Sequence, residues 1–204
     1  MDPWHEGAPP ASVPIPDLIE GSADDVARRL LGTRLVSEFD GERTVGVIVE
    51  TEAYLGAEDP ASHAAARVGR TQRNASMFGA AGCAYVYLIY GMHWCMNVVT
   101  GGSGDPSAVL LRALDPVEGL DVMSRRRAGR LEIARGPGRL GQAMGIDGAC
   151  DGTDLSRPPL TLVAGWAVDD ERVGVSPRIG VTRAVDWPLR FYVRGNQHVS
   201  AKPR

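Results

Sequence analysis

Apolar and polar positions early in the chain predict two neighbouring strands. Residues 35–39 (LVSEF) and 44–50 (TVGVIVE) are short runs rich in apolar and β-branched residues, and Asp40-Gly41 lies between them. An Asp-Gly pair between two such segments is a strong signal for a β-hairpin. We therefore predict a hairpin whose second strand delivers Glu50 and Glu52 at its end.

Similar patterns predict further strands along the chain. A second hairpin is predicted over residues 84–90 and 93–99, and short strands are predicted at 109–114, 160–163, 179–181 and 189–193. Helical spacing follows Ser22, and short helices fit 117–127 and 138–146. Many short strands with few helices favour the α+β class. We expect one compact domain on a largely antiparallel, curved β-sheet with flanking helices.

The length of 204 residues suits one domain. Residues 1–16 are rich in Pro and Ala without periodicity, so we predict a flexible N-terminal arm (1–16) followed by one domain (17–204). No apolar run reaches the ~20 residues that span a bilayer. The first residues lack the basic-then-apolar layout of a signal peptide. We therefore expect no membrane partner and a cytoplasmic location.

Charge is unevenly distributed along the chain. The formal net charge is −3, but six of the 25 acidic residues lie in residues 1–25, which contain no Lys or Arg. The remainder carries 22 basic against 19 acidic residues, a mildly basic balance that does not by itself establish nucleic-acid binding. The single lysine is Lys202, near the end of the chain. Because Schiff-base catalysis needs an amine held in a pocket, lysine-based covalent chemistry is disfavoured, although the N-terminal amine stays available.

Glu50 and Glu52 share one face of the predicted strand if the alternation holds. Either both carboxylates point into water, or one is a general base and the other a structural hydrogen-bond acceptor. Spacing alone does not decide between these two interpretations.

Metal chemistry is the next alternative. Glu58, Asp59 and His63 follow the two glutamates, but their spacing matches no named ligand motif. The three cysteines lack the CxxC spacing of a zinc site or disulfide framework, and Cys95 has the setting of a buried packing residue. The spacing therefore disfavours a metal site.

The second predicted hairpin is rich in tyrosine. Tyr85 and Tyr87 project to one face, and Tyr90 lies beside the turn at Gly91-Met92. Tyr90 either folds back on its own sheet or acts as a wedge between stacked bases in a narrow groove. The other tyrosines offer surface on which an extruded base could stack.

The densest basic stretch covers residues 124–140 and includes Gly136-Pro-Gly-Arg-Leu140. Such a run is either a solvated face or a phosphate-contacting surface, because glycines beside arginines let backbone amides approach phosphates closely. The sequence leaves both interpretations open.

Together these motifs resemble the alkyladenine (3-methyladenine) DNA glycosylase family. The longest are Val47-Ile-Val-Glu-Thr-Glu-Ala-Tyr-Leu-Gly56 and Tyr85-Val-Tyr-Leu-Ile-Tyr-Gly-Met92. Further matching segments are 58–59, 61–63, 73–74, 77–78, 95–97, 109–114, 136–138, 178–181 and 188–192. The resemblance covers about residues 17–200, nearly the whole predicted domain.

The resemblance implies a fold and an activity. The family has a single mixed α/β domain, shared by analogy with a domain appended to formyltransferases, whose β-hairpin enters the DNA minor groove. It flips a damaged nucleotide into a pocket and hydrolyses the N-glycosidic bond without metal or cofactor. The implied partner is damaged double-stranded DNA, at the nucleoid, and we expect a monomer because one hairpin reads one groove site.

The resemblance also implies a role for each matching residue. Glu52 would activate the water, with Arg112 holding that water and the carboxylate, and Glu50 would be structural. The base pocket would comprise Tyr54 and His63 on one face, Tyr87 on the other, and Asn97 near the purine edge, where it disfavours the 2-amino group of guanine. At the hairpin tip, Tyr90 and Met92 would intercalate.

Two departures from the family pattern affect DNA contacts. His93 stands where the family pattern has an aromatic Tyr, and the N-terminal arm is short and acidic.

Two other functions compete with the glycosylase: a non-enzymatic module that binds RNA or protein on a similar fold, and a metal hydrolase built from the acids of residues 50–59 and His63. The sequence does not say which purine lesion is preferred.

Overall fold

The computed structural model describes residues 2–7, 15–62 and 68–200. These residues form eight strands: β1 Arg34–Phe39, β2 Glu42–Leu55, β3 Ala84–Ile89, β4 His93–Val99, β5 Ser107–Glu118, β6 Leu160–Val163, β7 Val173–Ser176 and β8 Arg190–Val193. Their α-helices are α1 Ile15–Ile19, α2 Ala23–Arg29, α3 Leu120–Arg126 and α4 Pro137–Met144. Short 3-10 helices lie at Pro3–His5, Gly56–Glu58, Gln72–Phe78, Gly148–Cys150 and Asp170–Arg172.

The strands form one antiparallel sheet. Six follow the order β3-β4-β5-β2-β1-β6, while β8 pairs with β2 and β7 pairs with β8. β2 changes partner along its length, because residues 42–47 pair with β1 and residues 50–52 pair with β8. β5 lies along its other edge, so residues 50–52 have a strand on each side and are fully buried. The predicted α+β class and antiparallel curved sheet are confirmed.

The two faces of the sheet have different coverings. The main core covers one face, where Val86, Val98 and Leu111 pack with residues of α2 and α4. Strand residues alternate between faces, so their neighbours point the other way. On that second face a smaller cluster forms from Met77, Tyr85, Val99 and Ala108. The second face is the one that carries the residues with candidate chemistry.

Most predicted elements form, with two corrections near the candidate site. β2 continues to Leu55, so Glu50 and Glu52 lie inside the strand and not at its end. The strand predicted at 179–181 is wrong, since these residues form a bend in which Gly180 has a φ of +76°. A left-handed conformation interrupts an extended strand. The nearby strand is instead β7, which the sequence pattern did not predict.

Part of the predicted N-terminal arm packs against the domain. Trp4 is 5% exposed, and its ring lies 6.2 Å from the ring of Trp166. α1 begins at Ile15, inside the predicted arm. The boundary between arm and domain stays a prediction. Within the described ranges, no helix combines the length and apolar character that crossing a bilayer requires.

Candidate active site

Two irregularities in the pairing of β2 with β5 bring opposite charges together. Val49 of β2 and Arg112 of β5 each lack a directly opposite residue in this register. Such β-bulges bend a strand and re-aim side chains, commonly beside active sites. Arg112 consequently reaches two acids of the neighbouring strand: its Nε lies 3.1 Å from Glu50 Oε1, and its Nη1 lies 3.1 Å from Glu52 Oε2.

Glu52 is fully buried and receives three hydrogen bonds. Besides Arg112, the hydroxyl of Tyr54 donates to Oε2 over 3.2 Å, and the backbone N–H of Ile179 donates to Oε1 over 2.7 Å. Burial raises the pKa of the Glu52 carboxyl, and the positive charge of Arg112 opposes the rise. A raised pKa makes the ionised carboxylate a stronger proton acceptor, as a general base requires.

Glu50 has a different environment, although it is equally buried. Its carboxylate accepts from Arg112, from Arg190 Nε at 2.7 Å, and from both the backbone N–H and the hydroxyl of Ser200 at 2.5 and 2.8 Å. A carboxylate offers about four acceptor positions, so these donors leave Glu50 little capacity for a water. The reading in which both acids point into water is wrong, because both side chains are 0% exposed.

A second buried ion pair supports Tyr54. The guanidinium of Arg178 lies 4.7 Å from the centre of the Tyr54 ring. Arg178 also binds both carboxylate oxygens of Asp59 and donates to the carbonyl of Ala53 at 2.9 Å. Burial opposes ionisation of Asp59, but the hydrogen bonds from Arg178 hold its pKa below the usual value. Asp59 therefore fixes Arg178, which in turn fixes the ring beside Glu52.

These ion pairs bear on the metal-hydrolase hypothesis. Glu52 and Asp59, two of its proposed ligands, are each bound to an arginine. Across residues 2–7, 15–62 and 68–200, no three His, Cys, Asp or Glu side chains are placed to hold a metal ion. His63, the remaining candidate, lies outside the described residues, and its role stays a prediction.

Asn97 lies in the same cross-strand row as Glu52. Asn97 pairs with Leu110, and Leu110 pairs with Glu52 on its other side. Directly paired residues share a face, and strands lie ~4.8 Å apart, so the two backbones are ~10 Å from each other. The amide of Asn97 is buried and donates to the carbonyl of Tyr85 over 3.0 Å.

Tyr85 and Tyr87 form a stacked pair on this face, with ring centres 5.5 Å apart and planes inclined by 27°. Burial raises the pKa of Tyr87, with contributions from neighbouring Cys95 and from Glu52. Cys95 is 2% exposed, and burial raises its pKa to about 11, which fits the predicted packing role. Glu52, Tyr54 and Tyr87 thus share one region of the sheet.

The tip of the second hairpin projects into solvent. Tyr90 is 83% exposed and Met92 is 68% exposed, so the alternative in which Tyr90 folds back on its sheet is wrong. Tyr90 and Gly91 have φ values of +53° and +70°, as in a type I′ turn. A left-handed conformation at a residue other than glycine costs ~1–3 kcal/mol and is commonly found at functional sites.

An open cavity of about 570 Å³ adjoins the acidic pair. Its wall includes residues that contact Glu50 or Glu52, and also arginines of the basic stretch: Arg112, Ile179 and Ser200, with Arg127, Arg130, Arg135 and Arg139. His93 also lines it. A Cβ added to Gly138 would lie 2.9 Å from the His93 side chain, so a glycine here lets α4 approach the hairpin.

A family model described as methylpurine-DNA glycosylase (MPG) matches residues 17–197 of the chain. The chain belongs to this family. The resemblance drawn from the motifs is thereby confirmed, and the protein is a DNA glycosylase, a hydrolytic enzyme of DNA repair.

Curated relatives agree with the family match. A protein of Myxococcus xanthus is 51% identical over 181 residues, covering 87% of this chain and 88% of its own. One of Carboxydothermus hydrogenoformans is 46% identical and covers 87% and 93%. One of Granulibacter bethesdensis is 46% identical and covers 98% and 93%. All three carry the provisional name 3-methyladenine DNA glycosylase.

Several contacts of the glycosylase's candidate site were not predicted from the sequence. The N–H of Ile179 and the side chains of Arg178, Arg190 and Ser200 bind the acids of the site from distant parts of the chain. The sequence predicts a strand at 179–181, and segment 178–181 otherwise enters only as a matching family motif. Gly180 was the available signal for a turn there.

Proposed function

We propose that this glycosylase flips an alkylated or deaminated purine out of duplex DNA and hydrolyses its N-glycosidic bond, leaving an abasic site. The observation that carries this proposal is the buried pair of Glu52 and Arg112 on the face that also holds Tyr54 and Tyr87. The relatives named 3-methyladenine DNA glycosylases support an alkylated purine as substrate.

Glu52 is the proposed general base. It takes a proton from water while the water oxygen bonds to the sugar C1′ and the electrons of the broken C–N bond leave with the purine. Positive charge develops on the sugar in this step, and a nearby carboxylate stabilises it. Arg112 favours the ionised form of Glu52 because an opposite charge lies close by.

Tyr54 and Tyr87 are the proposed stacking surfaces for the extruded base. Aromatic faces attract cations, so a purine that alkylation has made cationic gains more from them than a normal purine does. Asn97 would meet the purine edge and disfavour the 2-amino group of guanine, and His63 would complete the pocket. Weak pairing of a damaged base adds selectivity, since less energy is needed to extrude it.

Tyr90 and Met92 are the proposed wedge that enters the minor groove. Both are large, apolar and exposed at a hairpin tip, as an intercalating group must be. Arg127, Arg130, Arg135 and Arg139 of the adjoining cavity would bind phosphates of the same duplex. One hairpin and one cavity serve one lesion, so we propose that the enzyme acts as a monomer.

The mechanism is proposed to be monofunctional, with water and not an amine as nucleophile. Lysine-based Schiff-base chemistry is disfavoured because the chain has one lysine, Lys202, and the proposed nucleophile is a water activated by Glu52. Borohydride should therefore trap no covalent enzyme–DNA adduct. Efficient trapping would contradict a monofunctional mechanism. A separate assay in the presence of a chelator tests the metal-hydrolase hypothesis, which loss of activity would favour.

The decisive experiment is base release from duplexes that each contain one lesion: 3-methyladenine, 7-methylguanine, hypoxanthine or ethenoadenine. Glu52→Gln should abolish release yet still bind damaged DNA, because the amide keeps the shape and loses the proton acceptor. Glu58→Gln, a change at a nearby exposed acid, is the matched control and should keep full activity. Full excision by Glu52→Gln would refute the proposed base.

A further inference from the structure

Residues from both ends of the chain meet on one buried carboxylate. Asp115 of β5 is 2% exposed, and its Oδ2 accepts from Trp4 Nε1 at 2.8 Å and from Asn196 Nδ2 at 2.9 Å. Two histidines complete the group: His5 Nε2 lies 3.1 Å from Oδ2, and His198 Nε2 lies 3.3 Å from Oδ1. Asp115 therefore ties the first described residues to the last.

The C-terminal segment is held at further points. Asn196 Nδ2 also donates to Asp2 Oδ2 at 2.7 Å, and Asn196 Oδ1 accepts from the backbone N–H of His198 at 2.8 Å. The carbonyl of Val199 accepts from Arg135 Nε at 2.7 Å. Each bond restrains the residues immediately before Ser200, so contacts outside the catalytic pair, Glu52 and Arg112, help to place Ser200.

Ser200 connects this segment to the catalytic pair. Its backbone N–H and hydroxyl both donate to Glu50, and Arg112 Nη2 approaches the hydroxyl oxygen at 3.5 Å. Glu50 and Glu52 share Arg112. Loss of a hydrogen bond to Glu50 is therefore expected to shift Arg112 and to alter its contact with Glu52. The family match spans residues 17–197 and includes neither Trp4 nor Ser200.

We propose that Trp4, His5, Asp115, Asn196 and Ser200 form a terminal clasp that positions the catalytic pair, with Ser200 as the positioning residue. The clasp rests on the proposed role of Glu52. Ser200 satisfies Glu50 from the C-terminal segment, which leaves Arg112 free to keep Nη1 on Glu52. Without the Ser200 hydroxyl, Arg112 moves toward the under-satisfied Glu50 and its contact with Glu52 loosens.

Ser200→Ala tests the clasp directly. We expect the single-turnover rate of base release to fall ~10-fold, because displacements of ~1 Å near reacting groups cost up to ~100-fold. The affinity for damaged duplex should stay within about twofold, since the Ser200 hydroxyl donates to Glu50 and lies outside the proposed wedge. Ser200→Thr keeps the hydroxyl and should restore the rate, whereas a merely structural role predicts no such rescue.

Ser156→Ala is the matched control, because its hydroxyl also binds a carboxylate, Asp154, but at an exposed site. It should change neither rate nor affinity. The melting temperature of each variant shows whether the rate was measured on folded protein. A wild-type rate for folded Ser200→Ala refutes the positioning role.

Trp4→Phe tests the N-terminal half of the clasp. It also keeps the proposal testable if Ser200→Ala does not fold. It keeps an aromatic ring in the core and removes the N–H that Asp115 accepts. We expect a smaller loss of rate that is not additive with Ser200→Ala, since residues of one network couple. Strict additivity would refute the clasp. If Glu52→Gln were active, the proposed function would fail; if only the clasp were wrong, Glu52→Gln would still be inactive.

Discussion

Replacing Tyr54 by phenylalanine should move the acid limb of the pH–rate profile to higher pH. The substitution keeps the ring on which the base is proposed to stack and removes one hydroxyl, which donates to Glu52 Oε2 over 3.2 Å. That hydrogen bond favours the ionised carboxylate and lowers its pKa, against the larger effect of burial, which raises it. Loss of the donor therefore raises the pKa of Glu52 further.

The expected shift is about one pH unit. A hydrogen bond to a charged group contributes ~1.5–3 kcal/mol, and the weak end applies because 3.2 Å is long for an O–H donor. One pKa unit corresponds to ~1.4 kcal/mol, so a loss of ~1.5 kcal/mol is about one unit. Catalysis needs ionised Glu52, and its ionised fraction falls as the pH drops through this pKa.

The assay is single-turnover release of 7-methylguanine from a duplex, measured between about pH 4 and pH 9, where the acid limb reports the essential base. This lesion already carries a positive charge, so its departure requires no prior protonation. The rate of Tyr54→Phe should approach that of the parent enzyme as the pH rises, because the ionised fraction of Glu52 increases toward one in both proteins.

Tyr85→Phe is the control for this experiment. It removes a hydroxyl on the same face, and none of the hydrogen bonds to Glu52 come from it. Its profile should match that of the parent enzyme. An unmoved acid limb in Tyr54→Phe, or a limb moved to lower pH, would refute the assignment of Glu52 as the titrating base.

Two further predictions concern the DNA-binding surface. Tyr90→Ala should weaken binding to damaged duplex by about 5- to 150-fold, since stacking contributes ~1–3 kcal/mol per base, while Tyr90→Phe should bind nearly as well; unchanged affinity of the alanine variant in a fluorescence titration would remove the wedge. Arg130→Gln should weaken binding to damaged and to undamaged DNA about equally. It should also reduce the steepness of the plot of log K against log salt concentration by about 1. Arg157→Gln, at an exposed site on another segment, should change neither, and an unaltered salt slope in Arg130→Gln would exclude a phosphate contact.

Local patterns predicted much of this fold. Both hairpins could be predicted because strand-like apolar runs flank turn residues, and the turn residues Asp40 and Gly91 have positive φ in the structure. The pairing of Glu52 with Arg112 and the exposure of Tyr90 were expected only through the family motifs. Spacing alone left open whether Glu50 and Glu52 both point into water at the end of a strand or one of them is a general base.

The remaining contacts could not be predicted because they join distant residues. Asp59 and Arg178 are 119 positions apart, and Glu50 and Ser200 are 150 positions apart. No local periodicity encodes such a pair. Trp4 is a further example. The Pro- and Ala-rich sequence around it predicts a flexible arm, but the indole N–H of Trp4 donates to the buried carboxylate of Asp115 and attaches this segment to the domain.

The bulges at Val49 and Arg112 make this active site depend on residue count as well as residue identity. If Val49 were deleted, β2 could keep its register with β1 or with β8, but not with both. A slip of one position turns every following side chain to the opposite face. Single-residue insertions or deletions in this stretch should therefore inactivate the enzyme even where each substitution is tolerated, and a natural sequence that changes length here should change length by compensating pairs.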